Sequence, residues 1–310
     1  MLGTTLIAVL LGLAVWSAAA PQQPTPFTAS TNLVVVPVVV LDRKGQTVRN
    51  LTVADFEVRE DGKPVAIETF TAAAVEGPAE GRFIVLVLDN LRTPAELAWR
   101  VRSIAMRFIE RLRPADTMTV IGMSRGHAVT TTDKAALKSA VDRFKPAFGD
   151  TIRTVDEDAA HSLSTISDLS SQMSKAPHRR KVMVIIGNAA TFSPQRPSAV
   201  SRRERDLTEE WFEAIRETAR QNVSVYAIDP MGLTPGGYYG DYATMFAAET
   251  GGWAWANTNN FGAAVEQIWR EAGSYYVLGY HAPINDHRLH EIEVKVNVKG
   301  VTVRARRGRG

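Results

Sequence analysis

The stretch Phe83-Ile-Val-Leu-Val-Leu88 decides the fold, because it is an unbroken apolar run that ends at Asp89. Such runs are typical of strands that are buried on both faces of a sheet. Runs of similar character follow at Met118–Ile121, Lys181–Ile186 and Val223–Ile228. Together they predict a mostly parallel sheet that is covered on both faces.

Segments with helical periodicity separate these strands. Apolar residues recur at helical spacing from Pro94 to Arg113, and Thr132-Asp133 predicts the cap of a helix that continues through Phe144. Further helices are expected over residues 154–173, 203–221 and 261–272. This alternation predicts an α/β fold with a doubly wound, mostly parallel, Rossmann-like sheet over residues 80–272. The ligand site of such a sheet lies at the carboxyl ends of its strands.

Both ends of the chain carry shorter strands of alternating polarity, which are typical of half-buried antiparallel sheets. Two or three strands are marginally stable alone. We therefore expect residues 31–76 and 273–310 to pair into one small antiparallel β-sandwich, with the α/β domain inserted between them. The last two strands are predicted to form a hairpin. The predicted strands are Leu33–Leu41, Phe56–Glu60, Val65–Phe70, Tyr275–Tyr280, His290–Val298 and Val301–Ala305.

Residues 1–20 are predicted to be a signal peptide. They are almost wholly apolar and end in Ala18-Ala19-Ala20 before Pro21, the small-residue pattern of a cleavage site. An uncleaved anchor helix of about 17 residues is the alternative, because no Lys or Arg precedes the apolar run. Residues 21–30 are interpreted as a linker. We expect an exported protein, periplasmic or extracellular, that contacts a membrane only through an uncleaved segment.

Composition narrows the possible functions. The chain has no Cys, so thiolate metal sites and Cys nucleophiles are excluded. Its formal net charge is +3. We interpret two groups of arginines as solvated charge, because they lack the interleaved aromatic residues of nucleic-acid binders, and we expect no nucleic-acid partner. These arginines are Arg202, Arg203, Arg205, Arg304, Arg306, Arg307 and Arg309.

Several motifs together resemble a von Willebrand factor A domain. They are a strand ending in Asp89, Gly149-Asp150-Thr151 before a helix, the strand Val182–Ile186, and Tyr226-Ala-Ile-Asp-Pro230. The flanks resemble the acidobacterial-type von Willebrand factor A-related family, over nearly the whole chain after the signal peptide. The flanking motifs are Thr52–Phe56, Glu60–Pro64, Thr250–Gly252, Tyr275–Tyr280 and Val303–Arg306. The resemblance implies a non-enzymatic protein that binds a protein partner in adhesion or complex assembly.

The resemblance also implies an ion-dependent adhesion site, which is degenerate in this sequence. Such domains commonly bind a divalent cation through a D-x-S-x-S turn, a loop Thr and a second Asp. Asp89, Thr93 and Thr151 match, but Leu91 replaces a Ser ligand and Asn188 replaces the second Asp. Because hard cations need oxygen ligands and negative charge, we expect no cofactor. The alternative is weak Mg²⁺ or Mn²⁺ binding through Asp89, Thr93 and Thr151.

Two other interpretations of this loop remain open. Asp89 can accept hydrogen bonds from backbone N–H groups at the start of the following helix. Arg92 can supply the positive charge that a cation would have brought.

A Gly-rich aromatic loop provides the candidate partner-binding residues. The stretch Thr234–Asp241 follows the strand that ends near Asp229. Aromatic residues on loops at such an edge are typical interface anchors. The alternative is a loop packed back on the sheet. The candidates for partner binding are Tyr238, Tyr239, Tyr242, Trp253 and Trp255, together with Arg92 of the loop after Asp89.

Two motifs suggest other chemistry. Gly122-Met-Ser-Arg-Gly126 matches the nucleophile elbow of serine hydrolases, with Ser124 as nucleophile, but an elbow leads directly into a helix and the following residues predict extended chain. A serine hydrolase is the alternative from another functional class. His287-x-x-His290 with His281 suggests zinc. No carboxylate spacing completes that site, so we expect surface histidines.

Overall fold

The computed structural model describes residues 33–74, 81–146, 154–178, 180–187, 202–233, 240–282 and 289–309. The chain divides into two units, Met1–Thr31 and Asn32–Gly310, and the described residues belong to the second. The predicted signal peptide and the linker over residues 21–30 lie outside the described residues.

The strands lie at both ends of the chain and in its middle. In chain order they are β1 (Leu33–Leu41), β2 (Phe56–Glu60), β3 (Lys63–Val65), β4 (Thr69–Ala74), β5 (Arg82–Leu88), β6 (Thr117–Gly122), β7 (Val129–Thr131), β8 (Arg180–Ile186), β9 (Val223–Ile228), β10 (Ala254–Trp255), β11 (Ser274–His281), β12 (His290–Val296), β13 (Thr302–Ala305) and β14 (Gly308–Arg309).

Within the part of the chain that the structure describes, the α-helices lie in the middle, with short 3-10 helices at Val53–Asp55 and Ala95–Leu97. Among the described residues, no helix is both long and apolar enough to cross a bilayer. The α-helices are α1 (Ala98–Glu110), α2 (Lys134–Asp142), α3 (Val155–Met173), α4 (Arg202–Arg220), α5 (Gly240–Glu249) and α6 (Phe261–Gly273).

Local sequence explains where two of these helices begin. The Asp133 carboxylate accepts a hydrogen bond from the Ala135 N–H and caps α2. Thr154 and Glu157 form a capping box at the start of α3, in which each side chain accepts from the other residue's backbone N–H. These caps satisfy donors that the helices themselves leave without partners.

The middle of the chain forms a mixed α/β unit, as the sequence predicts. Within the described residues, six strands form one sheet in the order β10-β9-β8-β5-β6-β7, and only β7 is antiparallel to its neighbour. Alternate residues of β5 face opposite sides. Ile84 and Leu86 pack with α1, α2 and α6, whereas Val85 and Val87 pack with α3, α4 and α5. The two apolar faces of β5 explain why its sequence is an unbroken apolar run.

The two chain ends form a β-sandwich of two antiparallel sheets, ordered β13-β1-β11-β4 and β14-β12-β2-β3. In each sheet, strands that precede the α/β unit pair with strands that follow it. Val36, Phe56, Tyr276 and Leu278 are among the buried residues that the two sheets share as one core. Pairing of this kind gives each marginal β segment the partner that it needs.

Two strand predictions in the sandwich are wrong. The predicted terminal hairpin does not form, because β12 pairs with β2 and β13 pairs with β1 in the opposite sheet. The predicted single strand over Val65–Phe70 is divided between β3 and β4, which also belong to different sheets. Strands in facing sheets alternate in polarity just as neighbouring strands of one sheet do. The sequence pattern therefore does not tell whether two strands pair with each other or lie in opposite sheets.

The prediction of solvated C-terminal arginines is also wrong for three of them. The Arg309 guanidinium donates two hydrogen bonds to the buried Glu60 carboxylate, at 2.8 and 2.6 Å. Arg306 is buried and donates a hydrogen bond to the Ala219 carbonyl. This burial lowers the pKa of the Arg306 guanidinium to about 10. Arg304 forms an ion pair with the buried Glu271 of α6. These arginines join strands of the sandwich to each other and to the α/β unit.

Candidate functional site

The candidate site is the edge of the central sheet where β5, β6, β8 and β9 end, which we call the carboxyl edge. Because these four strands are parallel, the residues that follow them meet at one side of the molecule. Those residues are Asp89 and Asn90, Met123 and Ser124, Gly187, and Asp229 with Pro230.

Asp89 is buried and organises the loop that follows β5. Its Oδ1 accepts hydrogen bonds from the N–H groups of Leu91 and Arg92, both at 3.0 Å. A Cβ at Gly187, which has φ +151°, would lie 2.0 Å from the Asp89 Cβ, so only glycine fits there. This geometry matches the interpretation of Asp89 as an acceptor for backbone donors.

Two of the four predicted residues of the cation site, Asp89 and Thr93, lie among the described residues. Leu91 is buried and apolar, and Asp89 and Thr93 offer one carboxylate and one hydroxyl. The Thr93 Oγ1 is buried and makes no hydrogen bond within the described residues. Waters commonly complete the oxygen ligands of Mg²⁺, so the other two predicted protein ligands also matter here. Thr151 and Asn188 lie outside the described residues.

Arg92 lies beside this loop with an acidic partner. Its Nη1 is 3.2 Å from the Oδ2 of Asp158, a buried residue of α3. The Arg92 guanidinium is therefore paired with a carboxylate of α3, a helix on one face of the sheet.

Ser124 lies in a turn that differs from a nucleophile elbow. The Asn90 side chain holds this turn: its Oδ1 accepts from the Ser124 N–H at 2.8 Å, and its Nδ2 donates to the Ser124 Oγ at 2.6 Å. The chain then continues into strand β7, not into a helix. The elbow needs a direct strand-to-helix turn, so the described geometry lacks its defining feature.

An exposed apolar group at the carboxyl edge was not predicted from the sequence. Trp99 is 62 % exposed and Leu233 is 63 % exposed. The Arg100 guanidinium lies 5.2 Å from the Trp99 ring centre and 5.6 Å from that of Phe261. Arg100 also donates to the Pro230 carbonyl at 2.7 Å and the Met231 carbonyl at 2.9 Å. We call Trp99, Arg100, Leu233 and Phe261 the anchor cluster.

One sequence signal could have revealed Trp99. The buried face of α1 consists of Ala98, Val101, Ile104, Ala105, Phe108 and Ile109. Trp99 is a large aromatic residue outside that face, where a helix normally carries polar side chains. An aromatic residue outside the buried face is a candidate for contact with a partner.

The predicted aromatic candidates have different placements. Trp253 is 40 % exposed, but the Arg304 guanidinium of the sandwich lies 4.6 Å from its ring centre. Trp255 is half-buried in β10 and stacks on Tyr226, with ring centres 6.3 Å apart. Tyr242 belongs to helix α5, not to a loop as predicted. Tyr238 and Tyr239 lie outside the described residues.

Asp229, at the end of β9, is a perturbed carboxyl group at the same edge. Burial raises its pKa above the ordinary value, although the Met231 N–H donates to its Oδ1 at 2.8 Å and Arg100 lies nearby. A carboxyl group with this shift is typical of functional edges and also occurs in structural positions.

A second acidic group lies in the sandwich, where the prediction of surface histidines is wrong for His290. Among the described residues, Glu60, Asp61 and His290 form the one group with metal-ligand spacing. His290 is buried, and its Nδ1 is 2.7 Å from the Asp61 Oδ2. Both Glu60 oxygens already accept from Arg309, and Tyr280 donates to one of them. This arrangement is a buried ion-pair network, which stabilises the contact between β2, β11, β12 and β14.

Comparisons with known proteins do not assign the chain to a family. No protein-family model and no curated protein matches the chain. Among solved structures, the chain is similar to the human COPII-coat protein Sec24c, with a TM-score of 0.39 and 9 % identity over 78 % of this chain and 46 % of that one. It is also similar to a mutant PilB minor pilin from Streptococcus sanguinis, with a TM-score of 0.39 and 8 % identity over 76 % and 88 % of the two chains. Similarities this low carry no functional argument.

Proposed function

We propose that this chain is an exported, non-enzymatic binding protein whose α/β unit is a von Willebrand factor A-type domain of the acidobacterial-type family. Its partner is a protein that docks at the carboxyl edge of the central sheet. The motifs at Asp89, Asp229 and the sandwich strands support the family, and the mixed α/β unit is compatible with it. The apolar run at residues 1–20 supports export.

The anchor cluster carries this proposal. A tryptophan and a leucine are each more than half exposed at the edge where doubly wound folds bind ligands. Tryptophan and arginine are the residue types most enriched among interface residues that dominate binding. Arg100 is held by two backbone carbonyls, so this side chain loses little freedom when a partner docks.

The binding site differs from that of a metal-dependent relative. Asp89 is engaged by two backbone donors, and Leu91 takes the place of a ligand. We therefore propose that contact with the partner does not use a bound cation. The metal-dependent version, through Asp89, Thr93 and Thr151, is the alternative within the same functional class.

Site-specific photocrosslinking in the native host tests the proposal. A photoreactive amino acid replaces Trp99 in one strain and Val53 in another, because Val53 is an exposed apolar residue of the sandwich. We expect a discrete protein adduct from position 99 and none from position 53. Leu233→Ser should reduce the adduct from position 99. Equal adducts from both positions, or no adduct from position 99, would overturn the proposed docking edge.

A further inference from the structure

A small basic pocket opens at the carboxyl edge between the ends of β5 and β6. Its volume is about 270 Å³. Its polar rim is made by Asn90, Arg125, His127, Arg143 and Lys145, and its walls are apolar. Among the described residues that line this pocket, there is no carboxylate. The pocket therefore combines positive charge with an apolar interior.

Two of the cations in this pocket have charge available for a ligand. Arg125 forms an ion pair with Asp168 at 2.7 Å, so its charge is largely neutralised within the protein. Arg143 donates to the neutral Ser139 hydroxyl, and neither Arg143 nor Lys145 forms an ion pair with a described residue. Both side chains are exposed at the rim. A ligand that carries negative charge would meet these two cations first.

The turn that carries the pocket is held in a fixed shape. Arg125 has φ +64°, a left-handed conformation that a residue with a side chain rarely adopts. The Asn90 amide fixes the same turn through its two hydrogen bonds with Ser124. This side of the pocket is thus ordered before a ligand arrives, which lowers the ordering cost of binding.

The size and walls of the pocket select the kind of anion. Pockets for drug-sized molecules are larger, about 300–1,000 Å³, so this one suits a single side chain. Phe144 and Leu88 in its walls match the methylene groups of a glutamate or aspartate, and the cationic rim matches the carboxylate. Acidic side chains on a protein partner satisfy both requirements together.

We propose that this pocket captures an acidic side chain of the protein partner, with Arg143 and Lys145 as the cations that hold its carboxylate. The inference rests on the proposed function, because it assigns part of the same carboxyl edge to the same partner. It provides carboxylate recognition without a metal ion.

Binding of a short fluorescent oligoglutamate peptide to the purified chain tests the inference, with oligoglutamine of equal length as the neutral comparison. We expect anisotropy to show salt-sensitive binding of oligoglutamate only. R143Q/K145Q should weaken that binding by about tenfold or more. The matched control K44Q/K63Q removes the same charge from exposed positions of the sandwich and should change binding by less than about twofold.

Three outcomes would overturn the inference. Equal weakening by both double variants would mean that only net charge matters. Unchanged peptide affinity in R143Q/K145Q, with a lowered unfolding midpoint, would mean that the two cations serve only the carbonyl end of α2. Competition by inorganic phosphate as strong as that by free glutamate would mean that the pocket takes any small anion.

The two proposals can fail separately. An absent crosslink from position 99, with peptide binding that still depends on Arg143 and Lys145, would remove the proposed docking edge and leave an acidic-peptide pocket without an assigned partner. An unchanged peptide affinity in R143Q/K145Q with a discrete crosslink would keep the binding function and remove the acidic-side-chain pocket.

Discussion

The two edges of the central sheet differ in the side chains that they bury and expose. At the amino edge, where the strands begin, the fully buried Asp116 accepts three hydrogen bonds from Arg82 and one from the Arg113 N–H. Arg82 also lies 4.2 Å from the Trp269 ring centre. At the carboxyl edge, by contrast, the large apolar side chains of Trp99 and Leu233 are exposed.

This contrast separates stability from binding. Buried charges need partners inside the protein, and the amino edge supplies them next to the sandwich. Exposed apolar and unpaired cationic groups cost little in water and gain energy only when a partner covers them. We infer that the amino edge stabilises the fold and that the carboxyl edge is available for recognition. The following predictions test that division, from the largest expected effect to the smallest.

Asp116→Ala should destabilise the protein most, by about 3–5 kcal/mol, because it leaves the buried Arg82 guanidinium without its carboxylate partner. The measurement is the free energy of unfolding in denaturant. Asp206→Ala, an exposed residue of α4, is the matched control and should change it by less than about 0.5 kcal/mol. A small effect of Asp116→Ala would break the proposed difference between the edges.

The free energy of unfolding should fall in acid, and protonation of Glu60 and Asp116 should contribute to that loss. Burial alone raises their pKa values, but hydrogen bonds from Arg309 and Tyr280 to Glu60, and from Arg82 to Asp116, hold both below the ordinary 4.5 and 3.8. Because these pKa values are lower in the folded state, the stabilisation is present above the ordinary values and is lost as pH falls through the folded ones. Glu60→Gln should make the loss below pH 4.5 shallower in pH-dependent unfolding.

Asp229, at the carboxyl edge, should change the pH dependence of stability in the opposite direction. Burial raises its pKa in the folded state, so its ionisation destabilises the protein as pH rises above the ordinary value of 3.8. Asp229→Asn should therefore raise the free energy of unfolding at neutral pH and leave it nearly unchanged in strong acid. A destabilised Asp229→Asn variant at neutral pH would contradict this assignment.

Asp89→Ala should lower stability by about 1–2 kcal/mol, because the Leu91 and Arg92 N–H groups lose their acceptor. Thermal unfolding of the wild-type chain should be the same in EDTA and in millimolar Mg²⁺ or Mn²⁺. A cation that binds only the folded state would raise the midpoint in proportion to RT ln(1 + [L]/Kd). An upward shift that disappears in Asp89→Ala would restore the metal-dependent alternative.

Trp99→Ala should have the smallest effect, within about 0.5 kcal/mol, because the side chain is largely in water. Trp211→Ala is the contrasting variant, since Trp211 is buried against Phe246 and should cost about 3–5 kcal/mol. Both values come from denaturant unfolding. A large loss from Trp99→Ala would mean that this residue serves the fold and would weaken its assignment as an interface anchor.

The sequence by itself determined the α/β unit and which residues follow its strands at the carboxyl edge. The apolar run at Phe83–Leu88, its three later counterparts and the intervening helical patterns predicted a sheet covered on both faces. Local periodicity and capping are properties of neighbouring residues, which is why they could be read directly. Asp133 and Thr154 mark helix starts in the sequence as clearly as in the structure.

Only the tertiary structure decided where charged and aromatic side chains end up. Arg309 is more than two hundred positions from Glu60, and His290 is as far from Asp61, so no local pattern shows that these groups are buried together. Likewise, no local pattern places the exposed Trp99 and Leu233 at one edge of the sheet, or Arg143 in the same pocket as Asn90. Whether a charged side chain is solvated, forms an ion pair or can bind a ligand depends on residues that are distant in sequence and close in space. Only the folded structure brings those residues together.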